Sequence, residues 1–176
     1  MTPTVSSDDL FEAIRVVVLD VLPAGIEVVQ AQVNRVPEVK GEDYVLMTPG
    51  SRNRLATTEE AYDWEQKTVE LKQSVAATVQ LDIHGPNSED NAQVLGIVFR
   101  SSVGVKKFSA FGAEMAPLSI TEPQQVPFVN AENEYETRWV LKLDVQLKPA
   151  VVIAEEFAFE LDVGVKEVDA AYPVSA

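Results

Sequence analysis

Two stretches of this chain alternate apolar and polar residues for longer than most strands do. From Val69 to Ile83 the odd positions are Val69, Leu71, Gln73, Val75, Ala77, Val79, Leu81 and Ile83. Between them stand Glu70, Lys72, Ser74, Ala76, Thr78, Gln80 and Asp82. From Tyr135 to Leu147 the odd positions are Tyr135, Thr137, Trp139, Leu141, Leu143, Val145 and Leu147, set between Glu136, Arg138, Val140, Lys142, Asp144 and Gln146. Successive side chains of a strand point to opposite faces, so each stretch has one face to bury and one to wet. That predicts antiparallel sheet with one covered face. The strands would be on the order of 40–50 Å long at about 3.3 Å per residue. A third alternation follows Pro149, with Phe157, Phe159, Leu161, Val163 and Val165 inward and Glu156, Ala158, Glu160 and Asp162 outward.

Helical spacing appears twice. Leu10, Ile14, Val17, Val18 and Val21 recur on one face, behind Ser6-Ser7-Asp8-Asp9. Ser6 with Asp9 three residues on has the form of a capping box, and the acidic first turn suits the helix dipole. Leu22-Pro23-Ala24-Gly25 ends this element. Asn87 or Ser88 caps the second helix, with Glu89 and Asp90 in its first turn and Ala92, Leu95, Val98 and Phe99 as its buried stripe; it ends near Ser101 to Gly104. Gly96 inside it suggests close packing on the sheet, or simply weakens the helix by about 1 kcal/mol.

The remaining stretches are punctuated by breakers. Ile26 to Val33 and Tyr44 to Thr48 read as a strand pair, joined by a turn over Asn34 to Gly41 and stopped by Pro49-Gly50, which suggests a hairpin. His84-Gly85-Pro86 stops the long strand that starts at Lys67. Between residues 105 and 134 a short strand near Leu118 to Thr121 is predicted, with turns elsewhere. Residues 50–66 are polar but carry Tyr62 and Trp64. They are either a loop whose aromatics fold back on the body, or an exposed arm whose aromatics anchor a partner. Arg52 and Arg54 stand at its start, where they could pair with an acidic neighbouring subunit. The pattern as a whole predicts an α+β fold: a mostly antiparallel sheet of long strands with two α-helices packed on one face. One domain would cover residues 1–176, with an additional strand within 149–168 and a loose tail over 169–176.

Composition narrows the chemistry. The chain has no cysteine among its 176 residues, which excludes disulfides, thiolate zinc sites and cysteine nucleophiles. Its net charge of -14 repels phosphates, so it is not expected to hold nucleic acid across its surface. That charge keeps the protein soluble, or lines a surface past which DNA must slide without sticking. The longest apolar stretch, Val16 to Leu22, is interrupted by Asp20 and is far short of a membrane span. Neither a signal peptide nor a membrane contact is expected.

Candidate catalytic chemistry is sparse. The single histidine, His84, could pair with Asp82, Ser88 or Asp90 in a hydrolase-like arrangement. It lies in a His-Gly-Pro turn, however, and no Gly-x-Ser-x-Gly elbow is present. The acidic pairs Asp8-Asp9, Glu59-Glu60, Glu89-Asp90 and Glu155-Glu156 lack calcium-loop spacing. No phosphate loop occurs. The reading is a protein with no catalytic, cofactor-binding or metal-binding residues. A small carboxylate-dependent hydrolase is the remote alternative.

One series of segments carries a resemblance. It runs Val21-Leu22-Pro23-Ala24-Gly25-Ile26-Glu27-Val28-Val29, then Gln32-Val33-Asn34-Arg35-Val36-Pro37, then Tyr44-Val45-Leu46-Met47-Thr48-Pro49, then Arg54-Leu55-Ala56-Thr57. Val79-Gln80-Leu81-Asp82-Ile83-His84-Gly85-Pro86 before an acidic-capped helix adds to it. Together these resemble the neck terminator, or tail terminator, proteins of tailed phages, over most of residues 7–148. The resemblance implies a structural virion protein of the tail neck, assembled in the host bacterial cytoplasm. It implies a ring, usually of six copies, that ends tail-tube growth and joins the tail to the head. The implied partners are further copies of itself, the tail-tube protein and a head-completion protein, with DNA passing through unbound. Another head–tail adaptor or a tube-like component is the alternative within the same class.

Overall fold

The computed structural model describes residues 2–32, 39, 41–112, 114–129 and 135–155. Among them the elements run α1 (Ser7–Val21), β1 (Glu27–Gln30), β2 (Tyr44–Arg54), β3 (Glu59–Asp63), β4 (Thr68–Lys72), β5 (Val75–His84), α2 (Ser88–Phe99) and α3 (Ser102–Ser109). There follow β6 (Met115–Ile120), β7 (Gln124–Gln125), β8 (Phe128–Val129), β9 (Tyr135–Glu136), β10 (Arg138–Leu147) and β11 (Ala150–Ala154). The main sheet has the order β1-β2-β5-β10-β6, with β7 beside β10; β11-β4-β3 form a second sheet and β8-β9 a third. The architecture is α+β with mostly antiparallel pairing, as the alternations predict.

The capping box forms as read from the sequence. Ser6 Oγ accepts from the Asp9 amide at 3.2 Å, and the Ser6 amide donates to Asp9 at 2.7 Å. The Ser6 hydroxyl, which donates to Asp9 Oδ2 at 2.6 Å, and then the Ser6 amide hold the Asp9 carboxyl below the usual carboxylate range. α1 buries Leu10, Phe11, Ile14, Val17 and Val18, the face that helical spacing marks. It packs with α2 and α3 over the odd-numbered face of the central strands, where Ala77, Val79, Leu81, Ile83, Leu141, Leu143, Val145 and Leu147 are buried. The register pairs Leu141 with Leu81 and Leu143 with Val79, so both alternations feed one core. Each fully buried leucine contributes roughly 1.5–3 kcal/mol.

Several sequence expectations are corrected. Three helices, not two, are present among the described residues: α3 stands where turns were expected, capped by Ser101 Oγ, which accepts from the Val103 amide at 3.2 Å. Its eight residues are too few to set up a clear period, and Phe108 is its one large buried side chain. β1 and β2 are not a hairpin but run parallel, Glu27 beside Tyr44. The chain from 31 to 43 is about the dozen residues that a parallel crossover needs. Pro49-Gly50 does not stop β2, which continues to Arg54 through an irregularity between Pro49 and Arg52. β1 accompanies β2 only as far as Met47, so Pro49 sits on an edge portion, where a missing N–H is tolerated.

The strand predicted from Lys67 to His84 is broken at Gln73-Ser74 into β4 and β5, which belong to different sheets. The strand predicted from Tyr135 is likewise divided, into β9 and β10. The short strand predicted near Leu118 begins earlier, at Met115. After Pro149 the described strand is β11, Ala150–Ala154. The alternation from Phe157 to Val165, most of the Asn34–Gly41 turn and the tail 169–176 lie outside the described residues.

A candidate interaction arm

The second sheet continues the first. β2 runs on into β3, β4 runs on into β5, and β10 runs on past Pro149 into β11. Leu55 donates to Ser74 O at 2.9 Å and Gln73 to Pro149 O at 3.2 Å, which stitches the junction. Three neighbouring strands thus leave the core together and form an arm. β3 is exposed along its whole length. Val69 and Ala150 are the arm's buried apolar residues among those described, and neither belongs to the main core cluster.

The arm's tip is a tight turn. Asp63 Oδ1 accepts from the amides of Glu65 and Gln66, both at 3.0 Å, and Lys67 takes the left-handed conformation at φ 54°. Tyr62 stacks near Trp64 with ring centroids 6.3 Å apart, and Trp64 stays 65% exposed. The Tyr62 hydroxyl donates to Glu60 at 2.8 Å, and that carboxylate raises its pKa. Of the two sequence readings of residues 50–66, the exposed arm describes this geometry. It is built of strand, however, and not of loop. It holds Glu59, Glu60, Asp63, Glu65 and Glu70 against Lys67 and Lys72, with Glu70 paired to Lys72 at 2.9 Å and Glu59 to Lys148 at 3.0 Å, so among the described residues its unpaired acidity lies toward the tip.

Arg52 and Arg54 occupy the last positions of β2, opposite Ala77 and Val75. Arg52 donates to Ser7 Oγ at 3.0 Å, tying the arm's base to the start of α1. Arg54 is exposed at the junction. The four residues singled out from the sequence therefore fall into two groups: the arginines at the base and the aromatics toward the tip.

The histidine sits elsewhere. His84 is not a turn residue but the last residue of β5, only 3% exposed. The turn itself follows at Gly85, whose φ of 106° and contact with Asp43 leave no room for a side chain. The His84 ring stacks on Tyr44 at 4.5 Å and meets the edge of Phe128 at 5.1 Å. Its Nδ1 lies 3.3 Å from a Glu136 oxygen without the alignment of a good hydrogen bond. Burial pushes its pKa down, against the pull of Glu136. Tyr44 is pushed up to about 12 by burial and by the same carboxylate. Asp82 is held by Arg138, and Asp90 lies exposed in the first turn of α2. Ser88 is fully buried at the start of α2, and His84 itself is a buried group between rings. Among the described residues no three His, Cys, Asp or Glu side chains converge as a metal site. None of the helices described is long and apolar enough to cross a membrane.

A second surface goes unread in the sequence, where Lys106 and Lys107 stand out only as a basic pair that reads as solvated loop charge. From Asn91 to Ala113 there is no Asp or Glu, while Arg100, Lys106 and Lys107 all fall there. In a chain with 28 acidic residues that gap was a legible signal. It covers α2 and α3, whose outer sides expose Val94, Ile97, Val103 and Val105.

The sequence profile of a family described as phage neck terminator protein matches residues 8–171. The match runs beyond the stretch 7–148 on which the resemblance was read. No curated protein matches the chain.

Proposed function

Because this chain belongs to the phage neck terminator family, a structural family of the tail neck, we propose that it forms a ring that caps the tail tube. The ring ends tube polymerisation and offers the surface to which the filled head joins. Six copies is the number that the family resemblance implies. Its partners are copies of itself, the tail-tube protein and a head-completion protein, and it is assembled in the host bacterial cytoplasm before it takes its place in the virion.

One observation carries this reading: three strands extend past the core as an arm whose outer strand is exposed along its length. A three-stranded sheet of five-residue strands buries too little to be stable alone, so it gains by being covered. Among the described residues β3 has no strand on its outer edge; an open edge is a template for another chain, and a repeated head-to-tail contact that closes generates a ring. The net charge of -14 supports the second half of the reading. A bore lined with carboxylates offers DNA no counterion-releasing contacts, so DNA passes without being held.

Electron microscopy of a lysate from phage lacking this gene tests the proposal. Overlong tails without heads are expected. Tails of normal length beside full heads that leak DNA would instead identify a head-completion adaptor.

A further inference from the structure

The arm and the α2–α3 face are complementary in charge and in apolar content. The arm's outer strand and tip carry Glu60, Asp63 and Glu65 with the exposed Trp64, while Glu59 at its base pairs with Lys148 at 3.0 Å. The α2–α3 face has no carboxylate of its own from Asn91 to Ala113. Ile97, in the last turn of α2, is 60% exposed, and Val103 is exposed in the first turn of α3. Lys106 is exposed one helical turn beyond Val103, and Arg100 stands between the two helices. Lys107 pairs with Asp20 and Arg100 with Glu122 at 2.7 Å, so these two cations are partly neutralised within the chain. Lys106 has no such ion pair among the described residues. Two features so matched lie on different elements of one acidic chain.

We infer that the arm of one copy docks on the α2–α3 face of the next, with Trp64 against Ile97 and Val103 and the arm's carboxylates around Arg100 and Lys106. This rests on the ring reading and names the surfaces that would make it. The occupant is a second copy because both halves are present on every chain, and because a protein of net charge -14 has few other places where an acidic arm is not repelled. The contact is heterologous: each copy gives an arm and receives one. An exposed aromatic seated among aliphatic side chains with charges at its rim is the usual anatomy of an interface anchor.

A mixing experiment tests this. One variant disables the arm (Trp64→Ala with Glu65→Lys); the other disables the face (Ile97→Asp with Lys106→Glu). All four positions are exposed, and an unchanged unfolding midpoint confirms that each variant folds. Sedimentation at low ionic strength should show each variant self-associating at least about ten-fold more weakly than wild type. Mixed one to one, they retain a single good contact and should form dimers and nothing larger. Assembly of either variant alone to the wild-type size would overturn the inference, as would a wild-type chain that stays monomeric throughout. The same variants and wild type are supplied from a plasmid during infection by phage that lacks the gene, and tail length is scored. Variants that assemble normally beside a wild type that corrects tail length overturn the docking and leave the neck function standing. A wild type without effect on tail length overturns that function as well.

Discussion

Arg138 closes on Asp82 across the β5–β10 pair, with Nε 2.9 Å and Nη2 2.5 Å from the same carboxylate oxygen. Gln80 adds a donor at 3.0 Å to each oxygen, and the guanidinium lies 5.8 Å from the centre of the Phe128 ring. Asp82 is 2% exposed, so it is a buried charge satisfied on the polar side of an otherwise apolar strand. Removing one partner of a buried pair leaves the other charge uncompensated. Arg138→Met should therefore destabilise the fold by about 3 kcal/mol, the low end of the usual range, because Arg138 is itself partly exposed. The double variant Asp82→Leu with Arg138→Met should recover most of that loss. Urea unfolding of the two variants and wild type measures both effects.

His84 makes stability depend on pH near neutrality. Burial lowers its pKa in the folded chain, so the unfolded chain binds the proton first as pH falls. The contribution is fully present above about 6.5, the ordinary histidine value, and is lost as pH falls from there toward the lower folded value. Unfolding free energy measured between about pH 7.5 and 5.5 should decline for wild type and be flatter for His84→Gln.

Two glycines of the helical layer should respond in opposite directions. A Cβ at Gly96 would meet nothing closer than Pro123 Cγ at 3.9 Å. Gly96→Ala should therefore stabilise the protein by about 0.5–1 kcal/mol through helix propensity. A Cβ at Gly104 would lie 2.6 Å from Val98 O and 3.1 Å from Phe99 Cα. Gly104→Ala must push α3 away from α2 and should cost about 1–3 kcal/mol. Thermal unfolding of the two variants decides both signs.

The arm separates stability from assembly. Trp64 is 65% exposed and lies outside the core cluster. Trp64→Ala should change unfolding free energy by less than about 1 kcal/mol. Infectious titre, measured by plaque assay of the complemented deletion phage, should fall by an order of magnitude or more.

The core was legible because period-two alternation maps directly onto sheet faces: Leu81, Ile83, Leu141 and Leu143 were assigned inward and are buried. The same regularity hid the break at Gln73-Ser74, since the phase of alternation is unchanged from Val69 to Ile83 while the chain passes between two sheets. Local pattern fixes which way a side chain points, not which strand lies beside it. For that reason the parallel pairing of Glu27 with Tyr44 was read as a hairpin. α3 was too short for its period to show, and Gly104, read as the end of the second helix, is a helix-packing contact. The aromatics Tyr62 and Trp64 were found by their setting in a polar stretch. The α2–α3 face shows itself by an absence of carboxylates and not by the presence of a motif.

The most direct test of the account is to infect cells with phage that lacks the gene, with and without the chain supplied from a plasmid, and to measure tail length and titre. The account predicts that wild-type protein yields infectious particles whose tails share one length, and that without it tails run long and carry no heads. Tails uniform in length without the plasmid, with no gain in joined particles when it is present, would contradict it.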